Sequence, residues 1–261
     1  MTSLPFFQVD AFASRPFAGN PAAVIPLTEW LPDAVMQAIA AENNLSETAF
    51  LVPSDDEQAD FDLRWFTPTI EVDLCGHATL ASAHVLMDSD CARFSTRSGI
   101  LTVTRKDGLL WLDLPAGTVE EGREPGLLDA LGLPANTPTF LGRGGNGAAI
   151  ALLDDEDAVR AVEPDFRALK RFDRLVMVTA PGDDSAIASR VFASYHGIDE
   201  DPVTGSAHGS LVPFWADRLG RKRFDAIQAS ARGGQLECEH RSDRVILGGT
   251  CHTVIVGNFQ L

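Results

Sequence analysis

The sequence predicts an α+β protein of two pseudo-symmetric domains, each a sheet wrapped around one central helix. Two observations carry this. First, the pattern of the first half starts again in the second. Gly19-Asn20-Pro21-Ala22-Ala23-Val24-Ile25 returns as Gly145-Asn146-Gly147-Ala148-Ala149-Ile150-Ala151, and Arg64-x-Phe66 returns as Arg190-x-Phe192. Gly76-His77-Ala78 returns as Gly205-Ser206-Ala207, and Arg97-Ser98-Gly99-Ile100-Leu101 as Arg232-Gly233-Gly234-Gln235-Leu236. One such match is easy by chance; the ordered set is much harder. Second, each half holds a helix that is apolar on nearly every side, ATLASAHVLM in one and the start of SLVPFWADRL in the other. Such a helix is buried. A sheet curled around it buries it, whereas a doubly wound parallel fold would alternate amphipathic helices with strands. The domains are expected at residues 1–117 and 118–261, with the last strand free to return to the first domain.

The elements follow in order. FFQVDAFA alternates as a strand does, and RPFAGNPAAVIP passes from a Pro/Gly/Asn loop into a short apolar strand. Trp30 to Asn43 carries Leu31, Val35, Ile39 and Ala40 at helical spacing, with Pro32 and Asp33 near the entry. Phe50–Pro53 and Phe61–Phe66 read as strands around the acidic turn Ser54 to Asp60. Gly76 to Met87 is a helix. Phe94–Val103 and Leu109–Leu114 read as a hairpin turning at Lys106-Asp107-Gly108. Thr118 to Pro138, rich in Pro, Gly and Glu, is a connector with one short helix.

Composition excludes several classes. A net charge of −16 over 261 residues disfavours phosphate backbones and anionic lipid, so neither nucleic acid nor a membrane surface is an expected partner. MTSLPFFQVDAF has no basic leader region, so no signal peptide is expected. There is no apolar run of about 18 residues, so no membrane-spanning helix is expected either. Cys75, Cys91, Cys238 and Cys251 form no C-x-x-C pair, and a reducing cytoplasm is the simplest setting. No histidine stands at metal-ligand spacing from Cys, Asp or Glu, so no metal is expected. Gly145-Asn146-Gly147 fits neither phosphate-loop pattern, and there is no G-x-S-x-G elbow.

The chemistry gathers at two helix starts, Cys75-Gly76-His77-Ala78 and Thr204-Gly205-Ser206-Ala207. The first N–H groups of a helix lack internal partners and carry partial positive charge. Two such ends facing one interdomain cleft would grip an anion, most simply a carboxylate. Glu47 sits in NNLSETAFL, just before a strand. A carboxylate on a loop is usually solvated, but its apolar flanks would let it enter the core edge, raising its pKa and fitting it for proton transfer. By constant offset its counterpart is Asp173. Cys75 is either a small buried residue or a thiol acidified by the helix dipole. Its counterpart, Thr204, excludes a symmetric two-thiol mechanism. His77 at the positive helix end would stay neutral, as a donor or relay, or else be a satisfied core-edge histidine. Asp201 in EDPVTGSA is a cap or a cleft acid. Ser206 and His208 are close enough in sequence to reach the same place.

These residues resemble the PhzF family of phenazine-biosynthesis-like proteins. The likeness spans FQVDAFASRPFAGNPAAVI, NLSETAFL, RWFTPTIEVDLCGHATLASAHVL, GIDEDPVTGSAHGSLVPFWADRLG and SARGGQL, nearly the whole chain. It implies a diaminopimelate epimerase-like fold, two domains each with a barrel-like antiparallel sheet around a central helix. It also implies a cofactor-free isomerase, often a homodimer, whose characterised member moves a proton in trans-2,3-dihydro-3-hydroxyanthranilate. Glu47 matches the family's proton-shuttling glutamate, Gly76 and His77 its G-H pair, and Asp201, Gly205 and Ser206 its D-P-x-T-G-S cluster. The epimerase relatives use a cysteine at each helix start, and here only Cys75 occupies such a place. The reading is therefore an isomerase moving a proton on a small carboxylate, with Glu47, His77 and Asp201 catalytic and Cys75, Gly76, Gly205 and Ser206 binding the substrate. The rivals are a racemase or epimerase working through Cys75, and a non-catalytic carboxylate-binding protein.

Overall fold

The computed structural model describes residues 2–142 and 147–261; the repeat element at Gly145-Asn146 lies outside these. The chain divides into two compact units, Met1–Leu114 with Leu247–Leu261, and Pro115–Ile246.

The first unit runs β1 (Ser3–Ala11), β2 (Asn20–Pro26), α1 (Asp33–Asn43), β3 (Glu47–Pro53), β4 (Phe61–Phe66), β5 (Glu71–Val72), α2 (Gly76–Leu86), β6 (Cys91–Thr96), β7 (Gly99–Lys106) and β8 (Leu109–Pro115). The second runs β9 (Val119–Glu121), α3 (Leu127–Leu131), β10 (Thr139–Gly142), β11 (Ala148–Leu152), α4 (Glu156–Arg160), α5 (Phe166–Leu169), β12 (Leu175–Pro181), β13 (Ile187–Ala193), β14 (Ile198–Asp201), α6 (Gly205–Leu219), β15 (Arg223–Gln228), β16 (Gly234–Arg241) and the start of β17 (Arg244–Gly249), which passes into the first unit at Leu247. The final strand, β18 (Cys251–Gln260), pairs antiparallel with β1 in the first unit.

Both units use the same pairing scheme. In the first, β1–β2 and β3–β4 are antiparallel while β2–β3 and β4–β6 are parallel. In the second, β10–β11 and β12–β13 are antiparallel while β11–β12 and β13–β15 are parallel. The sheets are thus mostly antiparallel but mixed. Each parallel pair is bridged by helix, as a parallel crossover requires.

The central helix of the first unit is α2. Every residue from Gly76 to Ala83 is buried, and the helix touches β1, β2, β3, β7 and β18. A second layer lies on the other side of the strands. Met36, Ile39 and Ala40 of α1 pack with Ile25, Phe50, Val52 and Phe66. In the second unit Leu127, Leu131, Val159 and Leu169 pack with Ala149, Ala151, Val176 and Val178. Strands covered on both faces read as unbroken apolar runs, AAVI, AFLV and AAIA, rather than alternation.

The duplication extends to side chains. Arg64 grips Glu71 with Nε at 2.7 Å and Nη2 at 2.8 Å. Arg190 grips Glu200 with Nε at 2.8 Å and Nη2 at 2.9 Å. Each guanidinium also lies over the phenylalanine two residues on, Phe66 or Phe192, at 5.2 Å.

Two sequence expectations are corrected. Phe94–Val103 is not one strand, because a turn at residues 97–98 splits it between β6 and β7. The hairpin turn at Asp107-Gly108 does form. Both residues have positive φ, 53° and 79°, the conformation of a two-residue turn that fits strand twist. Glu47 is not on a loop; it is the first residue of β3, paired in parallel with Ala22.

Candidate active site

Strand alternation aims Glu47. Phe50 and Val52 point into the core with α1, so Glu47 lies on the opposite face, the one toward α2. Its side chain is 12% exposed, and Oε2 lies 3.1 Å from Nε2 of His77. His77 is buried as the second residue of α2. The other ring nitrogen, Nδ1, faces Nδ2 of Asn20 at 3.2 Å and Sγ of Cys75 at 3.5 Å. Asn20 is the first residue of β2 and fully buried. Gly19 before it has φ +66°, and a Cβ there would run into the Ala11 carbonyl oxygen, so glycine is required to bring Asn20 to the ring.

An amide N–H donates, so Asn20 makes Nδ1 the acceptor and leaves the proton of a neutral ring on Nε2, facing Glu47. Burial works against charge on His77, but the sulfur of Cys75 and the carboxylate of Glu47 outweigh it, and the pKa is raised well above the usual imidazole value. This reverses the sequence expectation that the helix end would lower it. The neighbouring Cys75 sulfur and Glu47 carboxylate set the direction of the shift. Cys75 is also the reverse of an acidified thiol. Burial, then the charge of Glu47, pushes it up to about 11 against the opposing pull of the His77 ring.

The start of α2 has no capping side chain. The Thr79 hydroxyl donates to the Cys75 carbonyl at 2.5 Å, so the hydroxyl occupies a carbonyl and leaves the leading N–H groups alone. In the second unit the corresponding bond joins Nδ1 of His208 to the Thr204 carbonyl at 2.8 Å. A carbonyl only accepts, so His208 carries its proton on Nδ1. Burial holds its pKa down at about 4.

The N-cap of α6 is Thr204, also with no capping side chain. Asp201, which the sequence offers as a cap, is instead the last residue of β14, and its Oδ2 accepts from the Thr204 hydroxyl at 2.5 Å. Gln228 ties the turn together: its Nε2 donates to the Asp201 carbonyl at 2.7 Å and its Oε1 accepts from the Thr204 N–H at 2.8 Å. Gly205 is buried and Ser206 partly exposed. Glu47, Cys75, Gly76 and His77 thus belong to the first unit, and Asp201, Gly205 and Ser206 to the second.

Register shows how the two copies differ. Ala22 pairs with Glu47, and its counterpart Ala148 pairs with Leu175. Leu175, not Asp173, therefore stands where Glu47 does. Trp65 pairs with Val72, and its counterpart Val191 pairs with Asp201. Each unit carries one acid where the other has an aliphatic side chain.

Sequence reasoning missed Asn20 and Gln228 as site residues. The available signal for Asn20 was a polar side chain at the end of an otherwise apolar strand, NPAAVIP; Gln228, in RFDAIQ with Arg223 and Asp225, had none. Among the described residues, donor atoms of Glu47, Cys75 and His77 all lie within 4.8 Å of one another. Nitrogen, sulfur and oxygen are donors that zinc accepts. Both Glu47 and Cys75 also contact the ring of His77, Glu47 at Nε2 and Cys75 at Nδ1.

Comparison with known proteins gives the following likenesses. The family model described as phenazine biosynthesis-like protein matches residues 9–257. A Pseudomonas aeruginosa protein named as an uncharacterized isomerase is 49% identical over 99% of both chains. The crystal structure of a PhzF-family phenazine biosynthesis protein from Enterococcus faecalis has a TM-score of 0.90 at 45% identity, covering 100% of both chains. A hydroxyproline epimerase from Agrobacterium vitis, with bound trans-4-hydroxy-L-proline, shares the fold at 12% identity, with a TM-score of 0.63 over 98% of this chain and 92% of that one.

Proposed function

The chain belongs to the phenazine biosynthesis-like (PhzC-PhzF) family, and on that premise we propose that it is an isomerase that moves a proton on a small carboxylate. The observation that carries this reading is the contact of Glu47 with His77, 3.1 Å apart at the uncapped start of α2.

In the proposed reaction, the Glu47 carboxylate removes a proton from a substrate carbon and returns it at another position. His77, whose Nε2 lies 3.1 Å from the carboxylate, orients Glu47. The leading N–H groups at Gly76-His77 receive the substrate carboxylate, where charge builds as the proton leaves. Gly205-Ser206 at the start of α6 is the further carboxylate anchor of the same reading, and Asp201 orients the substrate or shares the proton. A general acid–base step of this kind is worth about 10²–10⁴-fold. The protein is further proposed to act without a cofactor, as a homodimer in the cytoplasm. Among the described residues no helix is long and apolar enough to cross a membrane.

Incubating the protein in D₂O with a panel of small unsaturated or hydroxylated cyclic carboxylates tests the proposal. Deuterium entering a substrate carbon with the native protein, and lost in Glu47→Gln, supports it. Full exchange by Glu47→Gln ends the assignment to Glu47. Absence of exchange across the panel, with binding intact, favours the carboxylate-binding alternative. The Cys75 racemase alternative is disfavoured by a thiol whose pKa burial pushes up to about 11.

A further inference from the structure

We propose that the groove at the far end of α2 from Glu47 and His77 binds a small organic oxyanion, a phosphate monoester or a carboxylate. The groove has a volume of about 310 Å³ and is lined by His84, Arg105, Leu109, Leu110, Gly249–Cys251 and Gly108. All of these belong to the first unit.

Two basic side chains, His84 and Arg105, line it in a chain whose net charge is −16. His84 lies in the last turn of α2, and its Nε2 meets the Thr253 hydroxyl at 3.0 Å. Arg105, on β7, lines the same wall, and His252, on β18, lies near enough to act on His84. Burial first, then the charges of Arg105 and His252, lowers the pKa of His84. Several arginines have carboxylate partners: Arg64 has Glu71, Arg93 has Asp60, and Arg190 has Glu200. Among the described residues Arg105 has none. Basic groups crowded at one place are relieved by an anion.

Size and lining set the ligand class. A bare phosphate would leave much of this volume empty, which is at the lower end of the range for small-molecule sites. Buried Leu110 and partly buried Leu109 offer an apolar wall beside the basic one. The fit is therefore an anionic head on Arg105 and His84 with a short carbon body against the two leucines. His77 and His84 stand two turns apart on one helix, about 10 Å along its axis, so the groove is separate from the candidate active site.

The test is an NMR titration of the imidazole Cε1–H signals of the whole protein with inorganic phosphate and, separately, phenyl phosphate. Binding in about the millimolar range is expected, with the His84 and His252 signals moving and the His84 midpoint shifting to higher pH, because an anion favours the charged ring. Arg105→Gln should weaken binding by about tenfold, and it touches none of the candidate catalytic residues. Tighter binding of phenyl phosphate than of inorganic phosphate assigns the organic anion. Equal binding of both overturns the apolar half of the assignment. Unmoved signals at about 50 mM of either probe, or equal affinity in Arg105→Gln, overturn the site.

Discussion

The Glu47 carboxylate meets Nε2 of His77 at 3.1 Å, which leaves Nδ1 of the same ring to Asn20 at 3.2 Å and Cys75 at 3.5 Å. One imidazole thus meets both groups, and a Glu47 carboxylate oxygen and the Cys75 sulfur themselves lie within 4.8 Å of each other.

Glu47→Gln keeps the shape of the side chain and removes its proton chemistry. Exchange of a substrate hydrogen with D₂O should fall by about 10²–10⁴-fold while the melting temperature stays close to that of the native protein. Mass spectrometry of the recovered carboxylate gives the exchange rate.

Cys75→Ala should retain exchange within about tenfold, because a neutral buried thiol is not the base. With its pKa near 11, Cys75 should also resist iodoacetamide at pH 8, while exposed Cys91 reacts. Peptide mapping after brief alkylation checks this; rapid labelling of Cys75 would contradict it.

Asn20 should set the tautomer of His77. In the native protein the ¹⁵N shifts of the His77 ring should show a protonated Nε2 and an unprotonated Nδ1 when the ring is neutral. Asn20→Ser should give a mixture of tautomers. A native ring already protonated on Nδ1 when neutral would remove the role of Asn20.

His208 predicts a pH dependence of stability. It stays neutral in the fold down to about pH 4, whereas in the unfolded chain it protonates near 6.5. Between these values the unfolded chain binds more protons, so stability falls as the pH drops through the window, by roughly 3 kcal/mol in full. His84, lowered by burial and by Arg105 and His252, adds a residual slope of the same sign. His77 has the opposite sign: its raised value supports the fold below about pH 6.5, and that support is lost as pH rises through its folded value. Urea unfolding between pH 4.5 and 8 should show the fall on the acid side, and His208→Asn should flatten it.

The paired arginines predict matching losses. Arg64→Lys and Arg190→Lys each replace a two-pronged grip on a glutamate and the stacking on the neighbouring phenylalanine by a single point charge. Each should cost about 1–3 kcal/mol by chemical denaturation, and a large effect at one site with none at the other would break the equivalence of the two copies.

By itself, the sequence determined the duplication, the two apolar helices starting at Gly76 and Gly205, and the family likeness carried by blocks such as SETAF and CGHATLASA. These are local patterns: helix periodicity, turn residues and repeated order survive without knowing what any side chain touches. Tertiary structure decided the rest. Whether Glu47 lies on a loop or in β3, whether its counterpart is Asp173 or Leu175, and whether the surroundings lower or raise the pKa of His77 all depend on strand register and on distances of about 3 Å. Asn20 shows the same limit. In the sequence it is one letter of a repeated block, and only the pairing of β1 with β2, with glycine before it, brings its amide to the ring. A hydrogen bond between residues 57 positions apart leaves no mark on local periodicity, because it is packing of α2 on β2 that creates it.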